Sequence, residues 1–296
     1  FSGKHFLVIG AGTSGRAASL ALAGHGGSVT LNDMKAIDTA EQPWPDIKAA
    51  GVQLVFGSQE TALLDGMDVV VPSPVISPEI PIMKEAARRG LPIWSEVEVA
   101  CRVTDADMIG ITGTNGKTTT TTLVGEIMKA TGRQTVVGGN IGYGLSAQAD
   151  NLPKEAVVVA ELSSFQLEFT HSIKAKAATI LNITPDHLDR HHTMEGYAAA
   201  KERIFLNQDK GDYAVLNYDD ERVRAMAKDM TGTVVYFSTC GEVPEGAFYQ
   251  DGQLILRLHG QDTVVCAETD LHLFGKHNIQ NCLAAILLTY AAGAPL

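Results

Sequence analysis

Lys117 and Thr118 close the glycine-rich run "GITGTNGKTT", which follows the apolar stretch from Met108 and leads into the helical "TTTLVGEIM". Between a strand and a helix, the backbone N–H groups from Gly113 to Thr119 can converge on phosphate oxygens, with the helix N-terminus behind them. Lys117 then reaches the β- and γ-phosphates of a nucleotide, and the Thr118 hydroxyl suits Mg²⁺. Gly113, Thr114, Asn115, Gly116, Lys117, Thr118 and Thr119 therefore form a candidate ATP phosphate loop. Its spacing departs from the standard P-loop: Ile111 stands five residues before Gly116, where a glycine belongs, and glycines fall at 110 and 113 instead.

Other residue types with chemical potential are spread along the chain. Glu161 ends the apolar run in "VVVAELSSFQLE", which places a carboxylate at the carboxyl edge of a parallel sheet, a position suited to Mg²⁺. His187 lies between two aspartates in "PDHLDRH", and Lys201 sits in the helical "YAAAKERIF". In "GGNIGYG" the glycines let backbone pass close to a ligand, and Asn140 offers both a donor and an acceptor. Asn278 and Asn281 are three apart in "GKHNIQN" and share a helix face, where paired amides can read an adenine edge. Near the N-terminus, "GAGTSG" (Gly10, Gly12, Gly15) follows a strand and opens a helix, with Asp33 ending the next strand. That is the dinucleotide fingerprint, and on its own it admits a nicotinamide-dependent oxidoreductase.

Parallel strands with crossover helices are needed to hold these residues, and the pattern supplies them. "HFLVIG", "SVTLND", "VQLVF", "MDVVVPSP" and "LPIWSE" read as strands, with helices near Gly15–Ala23, Trp44–Ala50 and Glu79–Arg89. "MIGIT", "TVVGG", "AVVVAEL" and "AATILNI" start a second α/β series, continued by "DYAVLN" and "TVVYFS". The "DG" at Asp251–Gly252 joins "AFYQ" to "LILRLHG" as an antiparallel hairpin, and "HNIQNCLAAILLTYAA" reads as a final helix. The fold expected is α/β: a Rossmann-like parallel-sheet domain over 1–95, then a P-loop-type ATPase domain with an antiparallel hairpin over 96–296.

The 296 residues suit two domains, and 45% hydrophobic with 19% charged residues is an ordinary globular composition. A formal net charge of −11 argues against nucleic acid or an anionic membrane as partner. The four cysteines form no C-x-x-C pair, which suits reduced thiols, and no apolar run approaches the ~20 residues of a membrane span. A cytoplasmic monomer is expected.

"GTNGKTT", "ELSSFQLE" and "DHLDRH" followed by "YAAAKERIF" resemble, in order, the motifs of the Mur ligase family. The resemblance covers essentially the whole chain. It implies ATP-driven amide-bond formation on a peptidoglycan precursor through an acyl phosphate, with two Mg²⁺. The form "ELSSFQLE" is similar to that of members adding D-glutamate to UDP-N-acetylmuramoyl-L-alanine. By the same match Lys117, Asn140, Glu161, His187 and Lys201 would be catalytic, and Asn278 and Asn281 would bind ATP. Thr118, Glu161, His187 and Lys201 would hold metal, Lys201 as a carbamate, because a carbamate ligates Mg²⁺ where an ammonium repels it. The UDP substrate would meet Gly12, Thr13, Ser14, Asp33, Lys35 and Ser73, together with Asn140 and His187. In "PSPVIS" Val75 stands where the family usually has glycine, and Met34 stands where a polar residue is common. The family's C-terminal, amino-acid-binding domain has no motif before Leu296, so residues 1–296 alone are expected to bind nucleotide without turnover. The remaining alternatives are a Mur-type ligase of other amino-acid specificity and a nucleotide-binding module without catalysis.

Overall fold

The computed structural model describes residues 1–272 and 275–296. In chain order the first elements are β1 (His5–Ile9), α1 (Thr13–Gly24), β2 (Ser28–Asp33), α2 (Trp44–Ala49), β3 (Gln53–Phe56), β4 (Val69–Pro72), α3 (Pro81–Arg88) and α4 (Glu96–Val103). There follow β5 (Asp107–Thr112), α5 (Lys117–Ala130), β6 (Thr135–Gly139), α6 (Leu145–Ala149), β7 (Val157–Glu161), α7 (Ser164–Glu168), β8 (Ala177–Ile180), α8 (Leu188–His191) and α9 (Met194–Glu202). The last are β9 (Tyr213–Asn217), α10 (Glu221–Ala225), β10 (Thr233–Ser238), β11 (Gly246–Gln250), β12 (Gln253–Leu258), β13 (Gln261–Ala267) and α11 (Lys276–Ala291).

These elements form two compact units. The first comprises Phe1–Asp105, Gly142–Leu152 and Phe165–Ser172, and the second Ala106–Ile141, Pro153–Ser164 and Ile173–Leu296.

In the first unit a parallel sheet has the order β3-β2-β1-β4. Phe6, Val8, Leu31 and Val71 are buried in one apolar cluster, and Leu7, Ile9 and Val70 in another, so strands covered on both faces explain the unbroken apolar runs. The carboxyl ends of β1, β2 and β4 bring Gly10–Gly12, Asp33 and Ser73 to one edge.

"LPIWSE" is not a strand. Ile93 makes a single bridge to Val70, and Ser95 caps α4 by accepting from the Glu98 N–H at 3.0 Å. The Ser-x-x-Glu spacing of Ser95 and Glu98 is a helix-start signal that overrides the β-branched look of the segment.

The second unit has a nine-stranded sheet, β13-β12-β11-β10-β9-β8-β5-β7-β6, parallel from β6 to β11. At the turn between β11 and β12, Asp251 (φ 49°) and Gly252 (φ 78°) are both left-handed, as a two-residue hairpin of this type requires. β13 then pairs antiparallel with β12, a strand the sequence pattern did not single out. α11 and α5 pack together over the sheet, and Leu283, Ala284, Leu287 and Leu288 share the buried cluster of Ile109, Val159 and Phe237. Among the described residues no helix is long and apolar enough to cross a membrane.

Candidate functional site

In the first unit, the β1–α1 turn is built by close approach. A Cβ on Gly10 (φ +97°) would lie 2.7 Å from the Ser73 Oγ, and one on Gly15 would lie 1.8 Å from the Gly10 carbonyl oxygen. Ser73 is buried and its hydroxyl donates to that same carbonyl at 3.1 Å. Asp33 accepts from the Ala11 N–H and the Lys35 N–H, both at 2.9 Å, so its carboxylate braces the loop from the neighbouring strand. Gly12 precedes α1 with no side-chain cap, and a Cβ built on it would meet nothing within 4 Å. The first-turn N–H groups at Thr13 and Ser14 therefore form an anion-ready helix start. Met34 and Val75 are exposed, at 67% and 84%.

In the second unit, β5 ends in the phosphate loop and β7, its neighbour in the sheet, ends in Glu161. The Thr118 hydroxyl donates to Glu161 Oε2 at 2.9 Å, and the Asn140 amide donates to Oε1 at 2.8 Å. Asn140 is held there by its own backbone, because its N–H donates to the Glu161 carbonyl at 2.8 Å. Gly139 makes this possible: at φ +106°, a Cβ would stand 2.2 Å from that carbonyl oxygen. Glu161 is 1% exposed. The Thr118 hydroxyl and the Glu161 carboxylate are hard oxygen donors of the kind Mg²⁺ takes, and the Asn140 NH2 group orients that carboxylate. Among the described residues no three His, Cys, Asp or Glu side chains come together as a ready metal cluster.

Lys117 folds back over its own loop, donating to the Gly113 and Thr114 carbonyls at 2.9 Å each. Burial lowers its pKa from the usual lysine value, opposed by the charges of Glu161 and Asp186. Gly116, at φ +87°, is the residue before α5. A Cβ there would come within 2.4 Å of Asn281 Oδ1, so Asn281 presses on the loop, and its amide donates to Asn278 Oδ1 at 3.2 Å.

Lys201 is 2% exposed and donates to the Gly113 carbonyl at 2.9 Å and the Thr112 hydroxyl at 3.4 Å. Burial drives its pKa down to about 7, with Lys117 adding to the effect. A buried lysine whose nearest oxygens are uncharged is a reactive amine rather than a fixed cation. His187 opens α8 in a left-handed conformation (φ 51°) and is half-exposed. Its N–H donates to Asp186 Oδ1 at 2.9 Å, and its ring faces Tyr197 edge-on at 6.4 Å.

Three residues the sequence reading passed over take part here. Asn182, just past β8, clasps the loop from the side: its Oδ1 accepts from the Asn115 N–H at 2.8 Å and its Nδ2 donates to the Asn115 carbonyl at 3.0 Å. Tyr197, from α9, has its hydroxyl 3.2 Å from the Thr114 hydroxyl, and the Lys201 ammonium sits 4.7 Å from its ring centre. Asp186 is the acid whose charge reaches Lys117, Lys201 and Tyr197. An Asn two residues past a parallel strand was the available signal for Asn182, whereas Tyr197 emerges only from the phase of α9.

These features define a P-loop α/β protein carrying a Rossmann-like unit at its N-terminal end. Residues 111–289 match the family described as the Mur ligase middle domain. The chain belongs to the Mur ligase family. It is 44% identical over 293 residues, 99% of its length, to the UDP-N-acetylmuramoylalanine–D-glutamate ligase of Pelotomaculum thermopropionicum, and 46% identical over 287 residues to the protein of that name from Desulfitobacterium hafniense. It spans 64% and 62% of those two relatives, less than two thirds of either. Among solved structures, the fold is shared with a UDP-N-acetylmuramate:L-alanyl-γ-D-glutamyl-meso-diaminopimelate ligase of Neisseria meningitides, at TM-score 0.65 and 20% identity over 98% of this chain and 94% of that one. It is also shared with the UDP-N-acetylmuramate–alanine ligase of Thermotoga maritima, at TM-score 0.53 and 21% identity over 98% of this chain and 65% of that one.

Proposed function

We propose that the protein to which this chain belongs is an ATP-dependent ligase that adds D-glutamate to UDP-N-acetylmuramoyl-L-alanine. The observation that carries ATP-driven chemistry is the convergence of the Thr118 hydroxyl and the Asn140 amide on the buried Glu161, beside a lysine-bearing phosphate loop. The choice of acceptor and amino acid is supported by the names of the relatives and by the "ELSSFQLE" form.

In this reading the second unit holds ATP. The loop N–H groups take the phosphates, and Lys117 exchanges its two carbonyl partners for phosphate oxygens. Asn278 and Asn281 read the adenine. The γ-phosphoryl group passes to the alanyl carboxylate, giving an acyl phosphate and ADP. The D-glutamate amine attacks the acyl carbon, and inorganic phosphate leaves the tetrahedral intermediate. Such a transfer depends on placement and on charge stabilisation at the phosphoryl oxygens, which is the role assigned to Lys117. Thr118 and Glu161, with His187 and a carbamylated Lys201, would hold Mg²⁺. Once bound, Mg²⁺ supplies further neutralisation of that charge. In the first unit, Gly12–Ser14 would take the diphosphate, with Asp33, Lys35 and Ser73 at the sides of the turn.

The acyl-phosphate step can be isolated. Full-length protein given UDP-N-acetylmuramoyl-L-alanine and ATP labelled with ¹⁸O at the β–γ bridge, but no D-glutamate, should scramble the label into non-bridging β positions. Scrambling that proceeds without the alanyl substrate, or none with it, overturns this mechanism.

For the N-terminal turn the expected ligand is a uridine nucleotide rather than NAD. Saturation-transfer NMR should give UDP signals that are lost on Gly12→Val, where a branched side chain would fill the space in front of α1. NAD signals with no UDP signal would return the turn to a dinucleotide role.

A further inference from the structure

The chain leaves the second unit twice, each time shortly after a candidate site residue. Gly142–Leu152 begins two residues past Asn140, and Phe165–Ser172 begins four residues past Glu161; both return to the first unit. Both excursions are fastened to the same short helix, α4. Glu96 and Glu98 are two apart, so they point to different sides of it, and each takes one excursion.

Glu98, fully buried, has a complete set of partners. Oε2 accepts from the His171 N–H at 2.6 Å and the Ser172 N–H at 2.7 Å, and Oε1 accepts from the Ser172 hydroxyl at 2.6 Å. Arg102 balances its charge at 2.6 Å. Glu96, 1% exposed, is built differently. Oε1 accepts from the Ser146 N–H at 2.5 Å and the Ser146 hydroxyl at 2.6 Å, while Oε2 is buried without a partner. Gly144 lets this excursion press close: a Cβ there would stand 2.3 Å from the Ala17 Cβ and 3.1 Å from Glu96 Oε1.

We infer that Glu96 and Glu98 are positioning residues for Asn140 and Glu161, Glu98 as a fixed anchor and Glu96 as one whose grip on Gly142–Leu152 weakens as pH rises. The coupling to turnover rests on the ATP-site reading above; the fastening itself does not.

The elements packed around Glu96 are α1, α4 and α6. Their charged groups are engaged elsewhere. Arg16 on α1 donates to the Ala11 carbonyl, Arg102 on α4 is bound to Glu98, and Asp150, after α6, pairs with His25, after α1, at 2.7 Å. The Cys101 thiol on α4 is pushed far up by burial and by the two glutamates, so it stays neutral. Among the described residues no cation thus answers a charge on Glu96, and burial raises its carboxyl to about 7. A raised carboxyl favours the docked form while protonated. Docking is therefore strongest below the ordinary carboxylate range, and weakens as pH climbs to about 7. Between pH 6 and 8 the last unit of that change is lost, about tenfold in the opening equilibrium.

Hydrogen exchange of the full-length protein at pH 6 and 8, corrected for intrinsic rates, reads this directly. Protection across 142–152 should fall about tenfold with pH, Glu96→Gln should abolish the fall, and 165–172 should be unaffected in both. Ser146→Ala, which removes one of the two donors, should lower protection of 142–152 at both pH values. Protection of 142–152 in the wild type that ignores pH, or that falls equally in Glu96→Gln, overturns the latch, and the wild-type profile alone decides if Glu96→Gln does not fold. In turnover, kcat should decline toward pH 8 in the wild type and hold in Glu96→Gln. Identical kcat profiles beside the expected exchange difference would overturn the positioning role. An absence of ATP-dependent turnover would count against the proposed function and leave the exchange result standing.

Discussion

Lys117→Ala lowers kcat/KM for ATP in the full-length protein by on the order of 10³-fold, a loss of about 4 kcal/mol in transition-state stabilisation. Lys117 is the only cationic side chain within Gly113–Thr119, and its ammonium already lies on the Gly113 and Thr114 carbonyls, where bound phosphate would arrive. Its burial is partial and its hydrogen-bond partners are neutral carbonyls, so its removal takes away only the longer-range attraction to Glu161 and Asp186, and folding should change less than activity. Steady-state kinetics with a thermal melt on the same sample separates the two effects. A mutant with normal turnover removes Lys117 from the chemistry, and one that is inactive because it is unfolded would show in the melt. Lys117→Arg should rescue little, since a planar guanidinium does not fit a site shaped for a compact ammonium.

The second large effect is expected at Lys201. An ordinary lysine at pH 7 is neutral in about 3 molecules in 10⁴, whereas one with a pKa near 7 is neutral in about half, which is what reaction with CO₂ requires. Lys201→Ala should lose on the order of 10²-fold in kcat, and millimolar formate or acetate should restore part of it by supplying the missing carboxylate. Wild-type activity should also depend on bicarbonate, and should decline as pH falls below 7 and the amine takes up its proton. Lys201→Met separates fold from function. It replaces a buried amine with an apolar chain of similar length, so the melting temperature should hold or rise while activity stays low. Full activity of Lys201→Ala without any additive, indifferent to CO₂ removal, would contradict the carbamate.

The parts of the site that are legible in the sequence are those fixed by local spacing. The phosphate loop needs only a strand, its glycines and a helix start. Glu161 and Asn140 each sit at the end of a β-branched or glycine-marked run, and the sheet order β5-β7-β6 then sets them side by side. Tyr197 joins the site through a contact 83 residues away, with Thr114, and no local pattern marks it, whereas Asn182 and Asp186 lie in locally readable places but gain their partners only from the fold. The same reason hides the return of Gly142–Leu152 and Phe165–Ser172 to the first unit. It depends on which side of α4 Glu96 and Glu98 face, and α4 itself was misread because Ser95 reads as the end of an apolar strand. His187 stands apart from the others: its local segment is recognisable, yet in this structure its ring lies against Tyr197 and its backbone against Asp186.

The most direct test of the central claim is a product assay on the full-length protein with UDP-N-acetylmuramoyl-L-alanine, ATP and Mg²⁺, offering D-glutamate, L-glutamate, L-alanine, L-lysine and meso-diaminopimelate in separate reactions. The account predicts one new amide product by mass spectrometry, with D-glutamate alone, and one ADP and one phosphate released per bond formed. Product with another amino acid and none with D-glutamate, or an amide formed without ATP consumption, would contradict it.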